Sequence, residues 1–244
     1  MKKYGCIGKK LVHSFSKDIH TKLADYTYEL IELTEDEINP FFKKKEFSAI
    51  NVTIPYKETV IPYLDSISDV AKRIGAVNTI VNKDGKLYGY NTDYYGMKAL
   101  IEKNEIDISN KKVLILGTGG TSKTAQVLAS DLGASEVLVV SRSEKLNCIT
   151  YDTAINKHND TDVIINTTPS GMFPNCDSKP IDISLFPNLK GVVDAVYNPL
   201  TTKLVADAKK RGKRWLWPRF PQILISCKKY CALRGVYSVS KRPA

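Results

Sequence analysis

Three short stretches of the 244-residue chain carry side chains or glycines whose spacing could do chemistry. In Lys111-Lys-Val-Leu-Ile-Leu-Gly117-Thr118-Gly119-Gly120-Thr121 an apolar run ends in a glycine-rich turn that opens a helical pattern from Ser122 to Leu132. Such glycines let the backbone turn tightly and approach a pyrophosphate, whose charge is stabilised by the free N–H groups and dipole of the helix start. The same pattern also describes a strand-to-helix loop that holds no ligand. The next apolar run, Val137 to Val140, favours the dinucleotide, because it leads into Ser141-Arg142-Ser143 where an NAD enzyme carries Asp or Glu. That carboxylate would bind the ribose hydroxyls. Arg142, with Lys145 nearby, instead offers a guanidinium to a 2′-phosphate, so NADP is the expected cofactor, although a solvated arginine is the plainer reading elsewhere.

The other two stretches are Asn51-Val-Thr53-Ile-Pro55-Tyr-Lys57 and Tyr90-Asn-Thr-Asp93-Tyr-Tyr-Gly96. Hydride transfer at an alcohol carbon needs a general acid/base beside the hydroxyl and polar anchors for the rest of the substrate. Pro55 suits the first turn of a helix, which would place Lys57 where the helix dipole disfavours a cation. A solvated surface lysine is the alternative. Asp93 falls in the first turn of a further helix, and on its own it reads as a capping carboxylate.

Alternating elements must position these groups. Tyr4 to Gly8, Tyr28 to Leu33 and Ala49 to Ile54 read as strands, with helical patterns over Lys17 to Tyr26 and Thr34 to Phe42. Thr34 followed by Glu37 is a capping-box pattern. Val77 to Val81 and Leu87 to Tyr90 flank an Asn-Lys-Asp-Gly turn and predict a hairpin, followed by a helix from about Thr92 to Glu105. The polar stretch Asp107 to Lys112 marks the expected boundary. Beyond it Val113 to Leu116, Val137 to Val140, Val163 to Ile165 and Val192 to Ala195 are continuous apolar runs, the mark of strands buried on both faces of a doubly wound parallel sheet. The expectation is an α/β protein: a substrate-binding domain over 1–106, a Rossmann-type dinucleotide-binding domain over 107–212, and an atypical basic segment over 213–244.

Composition narrows the setting. The net charge of +10 is local, since residues 208–244 hold eleven Lys or Arg and no acid, whereas the first 207 balance 25 basic against 26 acidic side chains. A basic arm for nucleic acid is one reading of that segment, but no recognisable nucleic-acid-binding motif accompanies it, so no such partner is expected. No apolar run is long enough to cross a bilayer, so neither a membrane nor export is expected. Cys6, Cys148, Cys176, Cys227 and Cys231 are odd in number, scattered and without a C-x-x-C pair, which suits a reducing cytoplasm and neither a disulfide framework nor a zinc site. His13, His20 and His158 show no metal-ligand spacing, and no metal is expected.

Seven ordered motifs make the chain, from Tyr4 to about Gly212, resemble the shikimate dehydrogenases. They are His13-Ser14-Phe15-Ser16, Asn51 to Lys57, Gly75-Ala-Val-Asn78-Thr79, Gly89 to Gly96, Gly117 to Gly120, Asn166 to Met172 and Asp194 to Pro199. The resemblance implies reversible reduction of 3-dehydroshikimate to shikimate with NADPH, in the chorismate route to aromatic amino acids, by a monomer or homodimer. It implies that Lys57 is the acid/base at the reacting oxygen and that Asp93 holds it by charge and hydrogen bond. Ser14 and Ser16 would bind the substrate carboxylate, and Thr53, Asn78 and Tyr197 its other polar groups. Gly117, Thr118, Gly119, Gly120, Thr121, Ser141 and Arg142 would bind the cofactor, Arg142 at the 2′-phosphate. A binding protein without turnover and a dehydrogenase acting mainly on quinate are the alternatives. Retention of both Lys57 and Asp93 argues against the first, and Arg142 against the NAD use that would accompany the second.

The chain departs from the family pattern in two places. Lys9, Lys10 and Lys17 stand where many members have proline or an apolar residue. After Gly212 the family continues with N-G-x-x-M-L-x-x-Q, which begins a helix returning to the substrate domain. This chain reads Lys213-Arg-Trp215-Leu-Trp217-Pro218-Arg-Phe-Pro221-Gln222 instead, where two prolines disfavour a regular helix and Gln222 comes several residues early for the family's substrate-contacting glutamine. Poor packing is expected over 213–244.

Overall fold

The computed structural model describes residues 3–11, 16–23 and 26–216. The chain divides into two compact units between Tyr95 and Gly96.

The first unit begins with three parallel strands, β1 (Tyr4–Gly8), β2 (Tyr28–Glu32) and β3 (Ala49–Val52), joined by the helices α1 (Ser16–Leu23) and α2 (Glu35–Lys44). Thr34 precedes α2, and the Glu37 carboxylate accepts from its hydroxyl at 2.9 Å and from its N–H at 2.7 Å, the second of which satisfies a backbone donor that a helix start leaves open. After β4 (Ser66–Ile67) and α3 (Asp69–Ile74) the chain forms the expected hairpin of β5 (Thr79–Lys83) and β6 (Lys86–Tyr90). Its turn residues Asp84 and Gly85 have φ of 53° and 81°, the left-handed pair that matches the twist of a two-residue hairpin. The sheet order is β2-β1-β3-β5-β6-β4, with β5 antiparallel to both neighbours. Alternation along the strands feeds two cores. Ile7, Ile50, Ile80 and Leu87 join Ile38, Phe42 and Val60 in one, whereas Cys6, Ala49 and Val81 join Tyr4, Leu11 and Tyr28 in the other.

The helix expected from Pro55 is absent. Residues 54–60 form successive turns, closed by Tyr56 N–H to Thr53 O and Val60 N–H to Tyr56 O, and only Ile61–Tyr63 forms a short 3₁₀ turn. The segment lies between Pro55 and Pro62, neither of which has an N–H for a helical ladder, and the few residues between them are too short to nucleate one.

The division between the units falls within α4 (Asp93–Lys103), upstream of the polar stretch at Asp107. Ile101, Ile106, Ile108 and Leu132 line one surface depression, which ties the end of α4 to the second unit. That unit continues with β7 (Lys112–Leu116), α5 (Gly120–Asp131), β8 (Glu136–Ser141), β9 (Ile149–Thr150), α6 (Tyr151–Lys157), β10 (Val163–Asn166), β11 (Gly191–Asp194), α7 (Lys203–Lys210) and β12 (Arg214–Leu216). All six strands are parallel, in the order β12-β11-β10-β7-β8-β9, a doubly wound sheet. Strands β10 and β11 are buried throughout, and β7 is buried from Val113 on. Strand β8 is less covered, with Val137, Leu138 and Val139 half-buried, because its outer neighbour β9 is only two residues long and pairs with Val140 and Ser141.

Within residues 214–216 the expectation of poor packing does not hold at Trp215. They form β12 on the edge of the parallel sheet, where Trp215 packs against the core of Leu204, Ala208 and Val192. Arg214 Nη1 donates to Glu105 O at 2.6 Å and Oε2 at 2.8 Å. Gln222 and the rest of the tail, 217–244, lie outside the described residues.

Candidate active site

In the first unit the chain ends of β1 and β3 and the start of α4 bring the polar groups together. Lys57 Nζ donates to Asp93 Oδ2 at 2.6 Å, with side-chain exposures of 12% and 28%. A charge-assisted bond of that length in a half-sheltered site fixes both side chains. Asp93 is the first residue of α4, where the helix dipole favours a carboxylate. With no regular helix at Pro55, the dipole argument for Lys57 has no basis, and Asp93 is its partner instead. The Lys57 carbonyl accepts from Val77 N–H at 2.7 Å, so the turns after β3 are stitched to the segment that carries Asn78. Asn78 itself spans the sheet: its N–H donates to Tyr90 O at 3.0 Å, and its carbonyl accepts from Val52 N–H at 2.8 Å. Thr53 N–H donates to Ile7 O at 3.0 Å, and a side chain at Gly8 would press to 2.7 Å from Thr53 Cγ2. Lys57, Asp93, Thr53 and Asn78 thus share one corner of this unit.

Ser16 is the first residue of α1, and Ser14 lies outside the described residues. Cys6, for which no sequence pattern suggests a role, lies close enough to feel both members of the pair. Burial pushes its thiol up to about 12, with Lys57 opposing and Asp93 adding to the shift, so it stays neutral.

In the second unit the glycine turn lies at the carboxyl end of β7, and α5 begins at Gly120 with Gly119 as its cap residue. No side chain caps that helix start, so its first N–H groups remain available to an anion. Gly117 has φ of 107°, and a Cβ there would meet Thr167 Oγ1 at 2.9 Å and Thr168 Cγ2 at 3.1 Å. A Cβ at Gly119 would meet nothing within 4 Å. The first glycine serves the turn and its packing, whereas the second leaves open space over the helix start. That open space and the uncapped N–H groups fit the pyrophosphate of a bound dinucleotide. Thr118 Oγ1 accepts from Lys145 Nζ at 3.2 Å, which joins the glycine turn to the loop after β8. Ser141 ends β8, and Arg142 comes next, exposed and without a hydrogen bond or ion pair among the described residues. Thr121 lies in the first turn of α5. Tyr197 stands in this unit, half-buried in the loop after β11.

A buried network supports the glycine turn. The Asp194 carboxylate accepts from Asn166 Nδ2 at 3.0 Å, Val196 N–H at 3.0 Å and Thr202 Oγ1 at 2.6 Å. Asn166 Oδ1 in turn accepts from Thr168 N–H at 3.0 Å and Oγ1 at 2.7 Å, which holds the turn that packs on Gly117. Burial raises the Asp194 carboxyl above the usual carboxylate range despite the opposing donors. Asn166 and Asp194 belong to two of the seven motifs, yet spacing alone carried no sign of this support role. Among the described residues no group of three or more His, Cys, Asp or Glu could hold a metal ion.

Comparison with known proteins agrees with both halves. Residues 6–80 match the family described as the shikimate dehydrogenase substrate binding domain. The NADP⁺ shikimate dehydrogenase of Clostridium beijerinckii is 39% identical over 229 residues, covering 88% of this chain and 85% of that protein. Among solved structures, shikimate dehydrogenase 1 from Peptoclostridium difficile superposes with a TM-score of 0.88 at 32% identity, over 98% of this chain and 94% of that one. The Thermus thermophilus shikimate 5-dehydrogenase, solved with NADP(H) and shikimate, gives 0.83 at 26% identity, over 96% and 93%. A paired lysine and aspartate in one unit, a glycine turn on a parallel sheet in the other, and relatives alike over nearly the whole chain place this protein in the shikimate dehydrogenase family.

Proposed function

We infer that this chain is an NADP-dependent oxidoreductase acting on a CH–OH group, which reduces 3-dehydroshikimate to shikimate reversibly. The observation that carries this reading is the 2.6 Å Lys57–Asp93 pair within a chain 39% identical to an NADP⁺ shikimate dehydrogenase. NADPH, when bound, supplies the hydride for the carbonyl carbon.

The chain's own residues would do the rest. Lys57, as an ammonium held by Asp93, carries the proton that the carbonyl oxygen gains as it becomes a hydroxyl, and takes that proton back in the reverse direction. Asp93 keeps Nζ in one place, so little motion is needed as charge develops. Thr53 and Asn78 stand beside the pair as anchors for substrate hydroxyls, with Ser14, Ser16 and Tyr197 as further substrate contacts. Gly117 to Thr121 would hold the pyrophosphate on the start of α5, with Ser141 beside it. Arg142 would pair with the 2′-phosphate that distinguishes NADP from NAD.

The reading includes a cytoplasmic protein working as a monomer or homodimer on small molecules alone. Cys6, Cys148 and Cys176 are free thiols, which suits a reducing compartment. Among the described residues no helix is long and apolar enough to cross a membrane. The test is a steady-state assay of nicotinamide absorbance with shikimate and with quinate, each offered NADP and NAD. The expected result is highest kcat/KM for shikimate with NADP. Preference for quinate with NAD, or binding without turnover, would overturn the assignment.

A further inference from the structure

Asn78 is nearly buried beside the Lys57–Asp93 pair, and its carboxamide is held in one orientation. Its Oδ1 accepts three donors: Thr92 N–H at 2.8 Å, Thr79 Oγ1 at 3.1 Å and Thr92 Oγ1 at 3.2 Å. Amide oxygen and nitrogen have opposite roles, so three donors converging on one atom settle which way the group faces. With Oδ1 committed, Nδ2 is left over, and it donates to nothing among the described residues.

Thr79 occupies the centre of this arrangement. It is fully buried on β5, and its hydroxyl has one proton and two lone pairs to distribute. The proton goes to Asn78 Oδ1, and the oxygen accepts from Asn51 Nδ2 at 3.2 Å. Asn51 is anchored from its other end, where Oδ1 accepts from Tyr28 OH at 2.6 Å. The Thr79 and Thr92 hydroxyls are also 3.3 Å apart. A chain of bonds therefore runs from β2 through β3 and β5 to the residue just before Asp93. A valine would fill the same volume at position 79 and make none of these bonds.

We propose that Thr79 is a positioning residue for substrate recognition: its buried hydroxyl fixes the Asn78 carboxamide so that Nδ2 is presented to a substrate hydroxyl as a donor. This rests on the reading of Asn78 as a substrate anchor. Thr79 touches neither substrate nor cofactor and acts through Asn78 alone.

The test is steady-state kinetics on the full chain with shikimate and NADP, using Thr79→Val, Thr79→Ser and Asn78→Ala. Thr79→Val should raise KM for shikimate about fivefold, the equivalent of one neutral hydrogen bond, and keep KM for NADP within about twofold. Thr79→Ser, which restores the hydroxyl, should return KM for shikimate toward the wild-type value. Partial misfolding lowers the active fraction and hence the apparent kcat, but it leaves both KM values alone, so the split between them reports on positioning. If Asn78→Ala raises KM for shikimate and Thr79→Val does not, Thr79 has no such role. Equal rises in both KM values for Thr79→Val, or no rescue by serine, would also overturn it. An unchanged KM for shikimate in Asn78→Ala would overturn the reading of Asn78 and Thr79 together.

Discussion

Under the proposed function, the corner around Lys57 and the turn around Gly117 are two different solutions to binding a polar molecule. In the first, side chains hold one another: Lys57 is tied to Asp93, and Asn78 Oδ1 has three donors. In the second, the groups proposed to meet phosphate stand open: α5 has no side-chain cap, and Arg142 makes no ion pair among the described residues. A small monocarboxylate substrate offers few contacts, so reactive groups must be in place before it arrives. A dinucleotide brings its own phosphates, which supply the charge that uncapped N–H groups and a guanidinium need. The first site should therefore be fragile in turnover, and the second in affinity.

The largest expected effect lies in the first. Asp93→Asn keeps the size of the side chain but removes the charge that holds Lys57, and kcat should fall by about two orders of magnitude or more, with KM for NADP little changed. A variant that kept most of its turnover would remove Asp93 from the chemistry. Next comes Arg142→Ala, which would delete the charge-assisted contact proposed for the 2′-phosphate, about 1.5 to 3 kcal/mol, so KM for NADP should rise roughly ten- to a hundredfold while KM for NAD barely moves. An equal rise for both would make Arg142 structural.

The two glycines sharpen the contrast within the turn itself. Gly119→Ala adds a methyl that meets no protein atom within 4 Å, so the melting temperature should hold. Affinity for NADPH, measured by direct titration, should drop about tenfold, because the methyl fills the space the pyrophosphate needs. Gly117→Ala should do the reverse first: φ of 107° and a 2.9 Å approach to Thr167 Oγ1 predict a loss of about 1 to 3 kcal/mol in stability. Identical outcomes for the two would erase the distinction between them.

The smallest effect concerns Asp194. Its carboxyl is raised by burial, so the folded protein binds that proton more tightly than the unfolded chain does. This group therefore withdraws stability as pH rises from the ordinary carboxylate value of about 3.9 through its raised folded value. Relative to wild type, Asp194→Asn should gain stability in denaturant titrations as pH goes from about 4 to about 7, and a relative loss would contradict that direction.

Much of this was legible because single residues carry strong local rules. Asp84-Gly85 fixed the hairpin, Thr34 and Glu37 the start of α2, and continuous apolar runs the buried strands of the parallel sheet. The features that stayed hidden depend on neighbours distant in sequence. Pro55 is a good first helical residue, but Pro62 leaves too short a segment for its helix. The segment Arg214–Leu216 follows a run of charged residues and carries no strand signal of its own, yet β11 offers it an edge and Trp215 finds a core to cover. The support that Asp194 gives to Thr168 through Asn166 crosses 28 residues, beyond any local pattern. The family motifs named Asn78, but the three donors that orient it come from two different segments.

The central claim is that Lys57 performs the proton transfer while cofactor binding is built elsewhere in the chain. Lys57→Ala tests it most directly when turnover with shikimate and NADP is measured alongside direct titration of NADPH. The expected result is a kcat lower by about a hundredfold or more, with the NADPH dissociation constant unchanged within about twofold. Turnover near wild type, or lost turnover that tracks an equal loss of NADPH binding, would contradict it.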